Sequence, residues 1–296
     1  MNFARAVLWP VLTLLVVAVS LAAGWFMWRT YMLSPWTRDG TVRVYIVTIA
    51  PEVAGRVVEL KVADNQYVHK GDLLFVVDPS DYRIAVSDAQ AEVEDAKDRM
   101  TLSLSEAERR ARLNELAVSI EQKQIYAVGA ATATASYHQA LTRLAKAELD
   151  LNRTEVHSPV DGWVTNLALR QGDYSVVGQR ALSLVDAHSF WVDGYFEETT
   201  IGPIADGDPA SVWLMGFPQE IKGHVDSLTR AINVPNAQPN AAGVADVNPV
   251  FTWVRLAQRV PVRIHLDVVP DGVRLVQGMT ATVQVHPKSS SRAPKG

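Results

Sequence analysis

The chain has no cysteine. That excludes disulfides, thiolate metal sites, a cysteine nucleophile and membrane attachment through a lipid-modified N-terminal cysteine. Strong charge of one sign is also missing: 28 Lys and Arg against 32 Asp and Glu leave a formal net charge of −4 over 296 residues. No global basic field is available to gather nucleic acid, which is not expected as a partner. The sequence contains no Gly-x-Ser-x-Gly, no Walker loop and no Gly-x-Gly-x-x-Gly. Its seven histidines, among them His69, His138, His157 and His224, never fall at His-x-x-x-His spacing. Glu197 and Glu198 are adjacent, and neighbours on a strand face opposite ways. No cofactor, metal centre or catalysed reaction is expected.

One long hydrophobic run is present. Residues 6–28 carry no charge and are bounded by Arg5 and Arg29. About 20 helical residues cross a bilayer core, so this run predicts a transmembrane anchor. Trp25, Trp28 and Tyr31 crowd its far end, where amphipathic rings favour the headgroup region. Pro10 lies in its first turns, where a lost hydrogen bond matters least. A cleaved signal peptide is the alternative, with Ser20-Leu21-Ala22 offering small residues for cleavage. Residues 1–5 are too few for a domain, which puts them in the cytoplasm and the bulk of the chain across the inner membrane.

The most informative feature is an internal repeat. Residues 50–78 read APEVAGRVVELKVADNQYVHKGDLLFVVD, and residues 158–186 read SPVDGWVTNLALRQGDYSVVGQRALSLVD. Gly55 aligns with Gly162, Tyr67 with Tyr174 and Gly71 with Gly178, while Leu60 meets Leu167 and Val62 meets Leu169. Short alternating apolar stretches broken by Asp-Asn and Gln-Gly-Asp predict small strands and hairpins. One copy is too small to bury a core, so the two halves, 49–82 and 154–187, are expected to sandwich together.

Between them, residues 83–153 contain no proline and one glycine, Gly129, and are rich in good helix formers. Apolar residues step by fours and threes at Tyr126, Ala130, Ala133, Tyr137, Ala140, Leu144, Ala147 and Leu151. The same steps run through Tyr82, Val86, Ala89, Val93, Ala96 and Met100, then slip near Leu104. That period predicts an antiparallel coiled-coil hairpin turning at residues 116–119, each arm about 50 Å long. An independent helical bundle is the alternative. After a linker and membrane-proximal strand at 29–48 and the sandwich, residues 188–286 read as short strands of a small antiparallel barrel. Residues 233–249 read as a long loop, and 287–296 as a disordered tail. The fold class is therefore mainly β with a long α-helical hairpin.

A lipoyl-like half-motif, a helical insertion, its second half and then a barrel resemble the HlyD-type membrane fusion proteins. Within that family the likeness is greatest to adaptors of p-hydroxybenzoic acid efflux, with EmrA-type multidrug adaptors next. The stretches carrying it are residues 34–39 (SPWTRD), 161–166 (DGWVTN) and 253–264 (WVRLAQRVPVRI). The resemblance implies an adaptor joining an inner-membrane transporter to a TolC-like outer-membrane channel, self-associated as a trimer or hexamer. It also implies an Arg–Leu–Ser channel-docking set at the hairpin tip. Arg109, Leu113 and Ser119 approximate that set, with one residue fewer between Leu and Ser. Arg38, Arg255 and Arg259 are candidates for transporter contact, since guanidinium groups pair well with carboxylates; bracing the barrel internally is the alternative. A true lipoyl carrier would need a modifiable lysine at the junction of the halves. Here the helices occupy that junction, and Lys61 and Lys70 lie within one half. Type I secretion adaptors share the architecture but usually have longer arms.

Overall fold

The computed structural model describes residues 14–25, 27, 35–114, 117–232 and 257–288. The strands run in chain order as β1 (Trp36–Arg43), β2 (Ile46–Ile49), β3 (Gly55–Leu60), β4 (Tyr67–Val68) and β5 (Leu73–Val77). Helices α1 (Ser80–Ala111) and α2 (Ile120–Asn152) follow. Then come β6 (Glu155–His157), β7 (Gly162–Thr165), β8 (Tyr174–Ser175) and β9 (Leu182–Asp186). The last strands are β10 (Trp191–Glu197), β11 (Pro209–Leu214), β12 (Glu220–Leu228), β13 (Arg259–Val268) and β14 (Thr280–Val285). The chain divides into two units, Ile46–His188 and a second formed by Met1–Tyr45 with Ser189–Gly296.

In the first unit the repeat becomes two four-stranded sheets, ordered β2-β9-β7-β4 and β6-β5-β3-β8. Each sheet draws strands from both halves. In one, Gly55 pairs with Ser175 and Arg56 with Tyr174. In the other, Gly162 pairs with Val68 and Trp163 with Tyr67. Replacing each residue by its repeat partner converts one set of pairs into the other. The same exchange relates Asn65 N–H donating to Val164 O and Gly172 N–H donating to Val57 O, both 2.8 Å. Asn65 and Gly172 hold left-handed backbone, φ 64° and 95°, as these tight turns require. The halves thus exchange edge strands and close over one core of Val57, Val68, Leu74, Phe75, Val77, Val164, Leu182 and Leu184. Each such buried side chain contributes about 1.5–3 kcal/mol relative to exposure, which neither half could collect alone.

The helical arm leaves this sandwich earlier than expected. Helix α1 starts at Ser80 rather than residue 83, because the Asp78 carboxylate accepts from the Ser80 N–H (3.0 Å) and hydroxyl (2.7 Å), filling the cap role at its start. Along α1 the covered positions are Tyr82, Val86, Ala89, Val93, Ala96 and Met100, with Ala89 and Ala96 the most buried. The expected slip near Leu104 does not occur. The four-three rhythm continues through Ser103 and Ala107, and Leu102 and Leu104 flank it, 58% and 41% exposed. The step was hidden because a polar and a small residue occupy the seam there while leucines face out. On α2 the predicted positions from Tyr126 to Leu151 are all covered, with Ala130 and Ala140 buried. An ion pair between Arg143 and Glu92 ties the helices across the seam. At the base, Tyr82 Oη donates to Ala54 O (2.7 Å) and Arg153 pairs with Glu52 (2.6 Å), fixing the arm to the sandwich. Burial pushes the Tyr82 hydroxyl above its ordinary pKa.

The barrel is not confined to residues 188–286. It is closed and ordered β1-β10-β13-β12-β11-β14, so a strand from before the sandwich completes it. Of the stretch expected to hold a linker and a membrane-proximal strand, residues 29–34 lie outside the described residues, and the strand at Trp36–Arg43 is a stave of the barrel. Its alternation is masked by a register shift between Thr37 and Gly40 against β14. Val42 is fully buried, whereas Thr37 and Gly40 point inward without apolar bulk. Gly40 faces Gly194 on β10, and a Cβ on Gly40 would stand 2.7 Å from Ala281 O. The core is aliphatic, centred on Val192, Phe196, Val212, Ile221, Ile264 and Val283.

Residues 14–25 are helical and exposed. No helix among the described residues is long and apolar enough to cross a membrane. Residues 6–13, 26 and 28 of the expected anchor, the expected loop at 233–249 and residues 289–296 of the expected tail lie outside the described residues.

Candidate docking sites

The hairpin tip is built from helix ends. Helix α1 stops at Ala111, and Arg112 N–H still donates to Glu108 O (3.3 Å). Helix α2 begins at Ile120, directly after the expected turn at 116–119, of which residue 116 lies outside the described residues. Asn114 Oδ1 accepts from Ala117 N–H (3.1 Å), Val118 is buried, and Ser119 Oγ caps α2 by accepting from Gln122 N–H (3.2 Å). Lys123, one turn into α2, crosses to donate from Nζ to Leu113 O (2.6 Å). It places positive charge at the carbonyl end of α1, where the helix dipole favours it. Sequence reasoning passed over Lys123. The available signal was a lysine continuing the seam one step before Tyr126.

The tip arginines divide by what they touch. Arg110 lies over the Tyr126 ring (4.8 Å to the centroid), and Arg112 reaches Glu108 (3.8 Å). Arg109 is exposed, with no ion pair among the described residues. Leu113 is 44% exposed, and Ser119 is exposed while its oxygen serves the cap. Arg109, Leu113 and Ser119 thus stand in the last turn of α1, the loop and the cap of α2. Their shared property is accessibility at the end of the arm.

On the barrel, Arg38 is exposed on β1, 5.4 Å from the Trp36 ring centroid. Arg259, at the start of β13, pairs with Asp39 of β1. Arg255 lies outside the described residues. A more enclosed cationic cluster stands nearby in the same unit. Arg263 stacks on Trp191 (4.1 Å) and Tyr45 (5.5 Å) and reaches Asp226 (3.5 Å). Arg43 bonds Tyr195 Oη (3.4 Å) and pairs with Asp193 (3.4 Å), partners that hold its pKa above the usual value. Trp191 Nε1 donates to the same Asp193 (2.8 Å). These groups are paired with one another and brace β1, β10 and β13. Among the described residues no group of three His, Asp or Glu is placed to hold a metal ion.

One unit is a split sandwich that carries a two-helix arm, and the other is a closed barrel. Residues 45–187 match the family model described as RND MFP, barrel-sandwich hybrid domain. Residues 189–286 match the AAEA-like beta-barrel domain. The Escherichia coli (strain K12) uncharacterized protein YdhJ is 43% identical over 273 residues, covering 92% of this chain and 96% of that protein. Among solved structures, the membrane fusion protein Spr0693 from Streptococcus pneumoniae R6 superimposes with a TM-score of 0.61 at 17% identity, covering 85% of this chain and 98% of that one. A MacA-MexA chimeric protein containing the Pseudomonas aeruginosa MexA α-hairpin domain gives 0.57 at 21% identity, covering 86% and 85%. Those two share the fold. The chain belongs to the membrane fusion (adaptor) protein family.

Proposed function

We propose that this chain is the adaptor subunit of a tripartite efflux pump, joining an inner-membrane transporter to a TolC-like outer-membrane channel. Residues 6–28 anchor it in the inner membrane, residues 1–5 are cytoplasmic, and the remainder stands in the periplasm as part of a trimer or hexamer. The observation carrying this reading is the arm itself. Two antiparallel helices of 32 and 33 residues rise from a sandwich that exists only when both halves come together. At 1.5 Å per residue they span about 50 Å with backbone polar groups satisfied internally, which suits bridging rather than chemistry. Exported molecules of the small aromatic carboxylic acid class are supported by the stretches at 34–39, 161–166 and 253–264 and by the AAEA-like barrel match.

The test is a deletion strain challenged with p-hydroxybenzoate, complemented by the intact gene. Sensitisation that complementation reverses is the expected result. Normal tolerance of aromatic acids with new sensitivity to lipophilic cations or uncouplers would replace this substrate class with the EmrA-type multidrug one. A C-terminal alkaline phosphatase fusion, active and retained in carbonate-washed membranes, tests the anchor. Release as a shortened soluble protein would favour cleavage after Ala22.

A further inference from the structure

The repeat makes the sandwich its own control, because each half shows what the fold accepts at the equivalent place in the other. Lys61 N–H donates to Leu74 O (2.9 Å), and Ala168 N–H donates to Ala181 O (3.1 Å). Exchanging repeat partners converts one bond into the other, so Leu74 and Ala181 are structurally equivalent. Both are buried, yet the second lacks most of the first one's volume. The neighbouring exchanges run the same way. Buried Val68 becomes Ser175, and partly covered Leu73 becomes the exposed Arg180. Tyr67 packs edge-on against Trp163, centroids 5.1 Å apart, whereas its partner Tyr174 lies opposite Arg56 and is 69% exposed.

A cavity of about 260 Å³ opens among these smaller and more polar residues, between Pro51, Leu169, Tyr174, Val176, Gln179 and Arg180. Folding does not require its lining, since the first half is built with Leu73 and Leu74 where the cavity has Arg180 and Ala181. Leu169, Tyr174 and Val176 offer aliphatic surface and an aromatic ring. Arg180 has no ion pair, and the Gln179 carboxamide no hydrogen bond, among the described residues. The other polar side chains of the wall are engaged. Ser175 Oγ donates to Gly55 O (3.1 Å), and the Asp173 carboxylate accepts from Arg170 N–H (2.8 Å). Apolar walls with a few convergent polar groups are the usual form of a small-molecule site.

We propose that this cavity binds a small aromatic carboxylate, its ring against Leu169, Tyr174 and Val176 and its carboxylate on Arg180 and Gln179. Guanidinium and carboxylate form a charge-assisted pair, the strongest polar contact that the lining offers, and a flat ring suits the open Tyr174 side chain. With one cation and one carboxylate on the wall, the site suits a monoanion and disfavours a phosphate. The proposal rests on the class of exported molecule in the functional reading above, and adds that the adaptor itself takes hold of it.

The test is titration of the full-length protein in detergent with p-hydroxybenzoate, followed by saturation-transfer NMR of the ligand and by calorimetry. Saturable one-site binding is expected, with p-hydroxybenzamide, which keeps the ring and loses the charge, at least tenfold weaker. Arg180→Gln should weaken the acid at least tenfold and remove its advantage over the amide. Ala181→Leu imports the residue found at the equivalent place in the first half, and should exclude both ligands. Lys70→Ala, at the repeat-related edge, should bind as the parent does. Thermal melts check folding, and Arg180→Gln, an exposed position, keeps the charge test in hand if Ala181→Leu does not fold. No saturable binding, or an Arg180→Gln protein that binds the acid as tightly as the parent, overturns the proposal. The deletion strain separates this failure from that of the functional reading. Sensitisation to p-hydroxybenzoate without binding rejects only the cavity, whereas normal tolerance without binding rejects the substrate class as well.

Discussion

Gly55 and Gly162 are repeat partners, and replacing each by alanine tests the sandwich at two equivalent points with different surroundings. Neither has positive φ, so alanine is conformationally allowed at both. A Cβ on Gly162 would lie 2.0 Å from Val185 O and 2.9 Å from Val185 C, atoms of the paired strand β9. Relief to an ordinary contact needs about 1 Å of strand separation, which removes one or two ladder hydrogen bonds at about 1 kcal/mol each and adds overpacking of about 1–3 kcal/mol. A Cβ on Gly55 meets only the Val77 Cγ1 methyl, at 2.6 Å. A side-chain methyl yields more cheaply, and alanine lowers unfolded-chain entropy by about 0.4–1 kcal/mol, so the net cost is about 1 kcal/mol. Gly162→Ala should therefore cost about 3 kcal/mol and exceed Gly55→Ala by about 2 kcal/mol, a gap of roughly 6 °C in Tm. Urea and thermal melts of the full chain, followed by far-ultraviolet circular dichroism and tryptophan fluorescence, measure both. Equal losses, or a Gly162→Ala protein as stable as the parent, would refute the strand-contact argument.

The arm offers further tests. Leu144→Asp places a carboxylate in the half-covered seam and should separate the helices, abolishing pump function while sandwich and barrel still melt cooperatively; unchanged tolerance of exported compounds would mean that the seam does not pack as described. Lys123→Met keeps the apolar stem but removes the donor to Leu113 O, so hydrogen exchange at residues 108–113 should quicken with little change in global melting. Hydrogen bonds from Ser80 hold the Asp78 carboxyl below its ordinary pKa, so this group's stabilisation is present above the unfolded value near 4 and disappears as pH falls through the lower folded value. Ser80→Ala should therefore be less stable than the parent at neutral pH, with the two melting curves converging in acid; a gap that widens in acid would contradict the sign.

Much of the architecture was legible because local patterns report which face of an element is covered. The repeat announced two half-sandwiches, and every α2 position that the four-three rhythm picked out is covered, although Lys123, Thr134, Leu141 and Asp150 are covered as well and fall outside it. The closing strands of the barrel were readable from alternation and turn residues. What escaped were features set by partners distant in sequence. The barrel claims β1 through pairing with β10 and β14, and its own alternation is disturbed by a register shift. The Lys123 bond to Leu113 O joins the ends of two helices across their connection, so it exists only once the hairpin has closed. Arg38, Arg109 and Arg259 look alike in the sequence, yet one lies beside a ring, one is free among the described residues and one is paired with Asp39. The two repeat-related edges illustrate the division most clearly. Their common backbone follows from the repeated sequence itself, because the same short strands and turns recur with the same glycines. Only the assembled sandwich set Tyr67 against Trp163 and left Tyr174 open, since a contact across strands depends on which side chains the exchange of edges brings together.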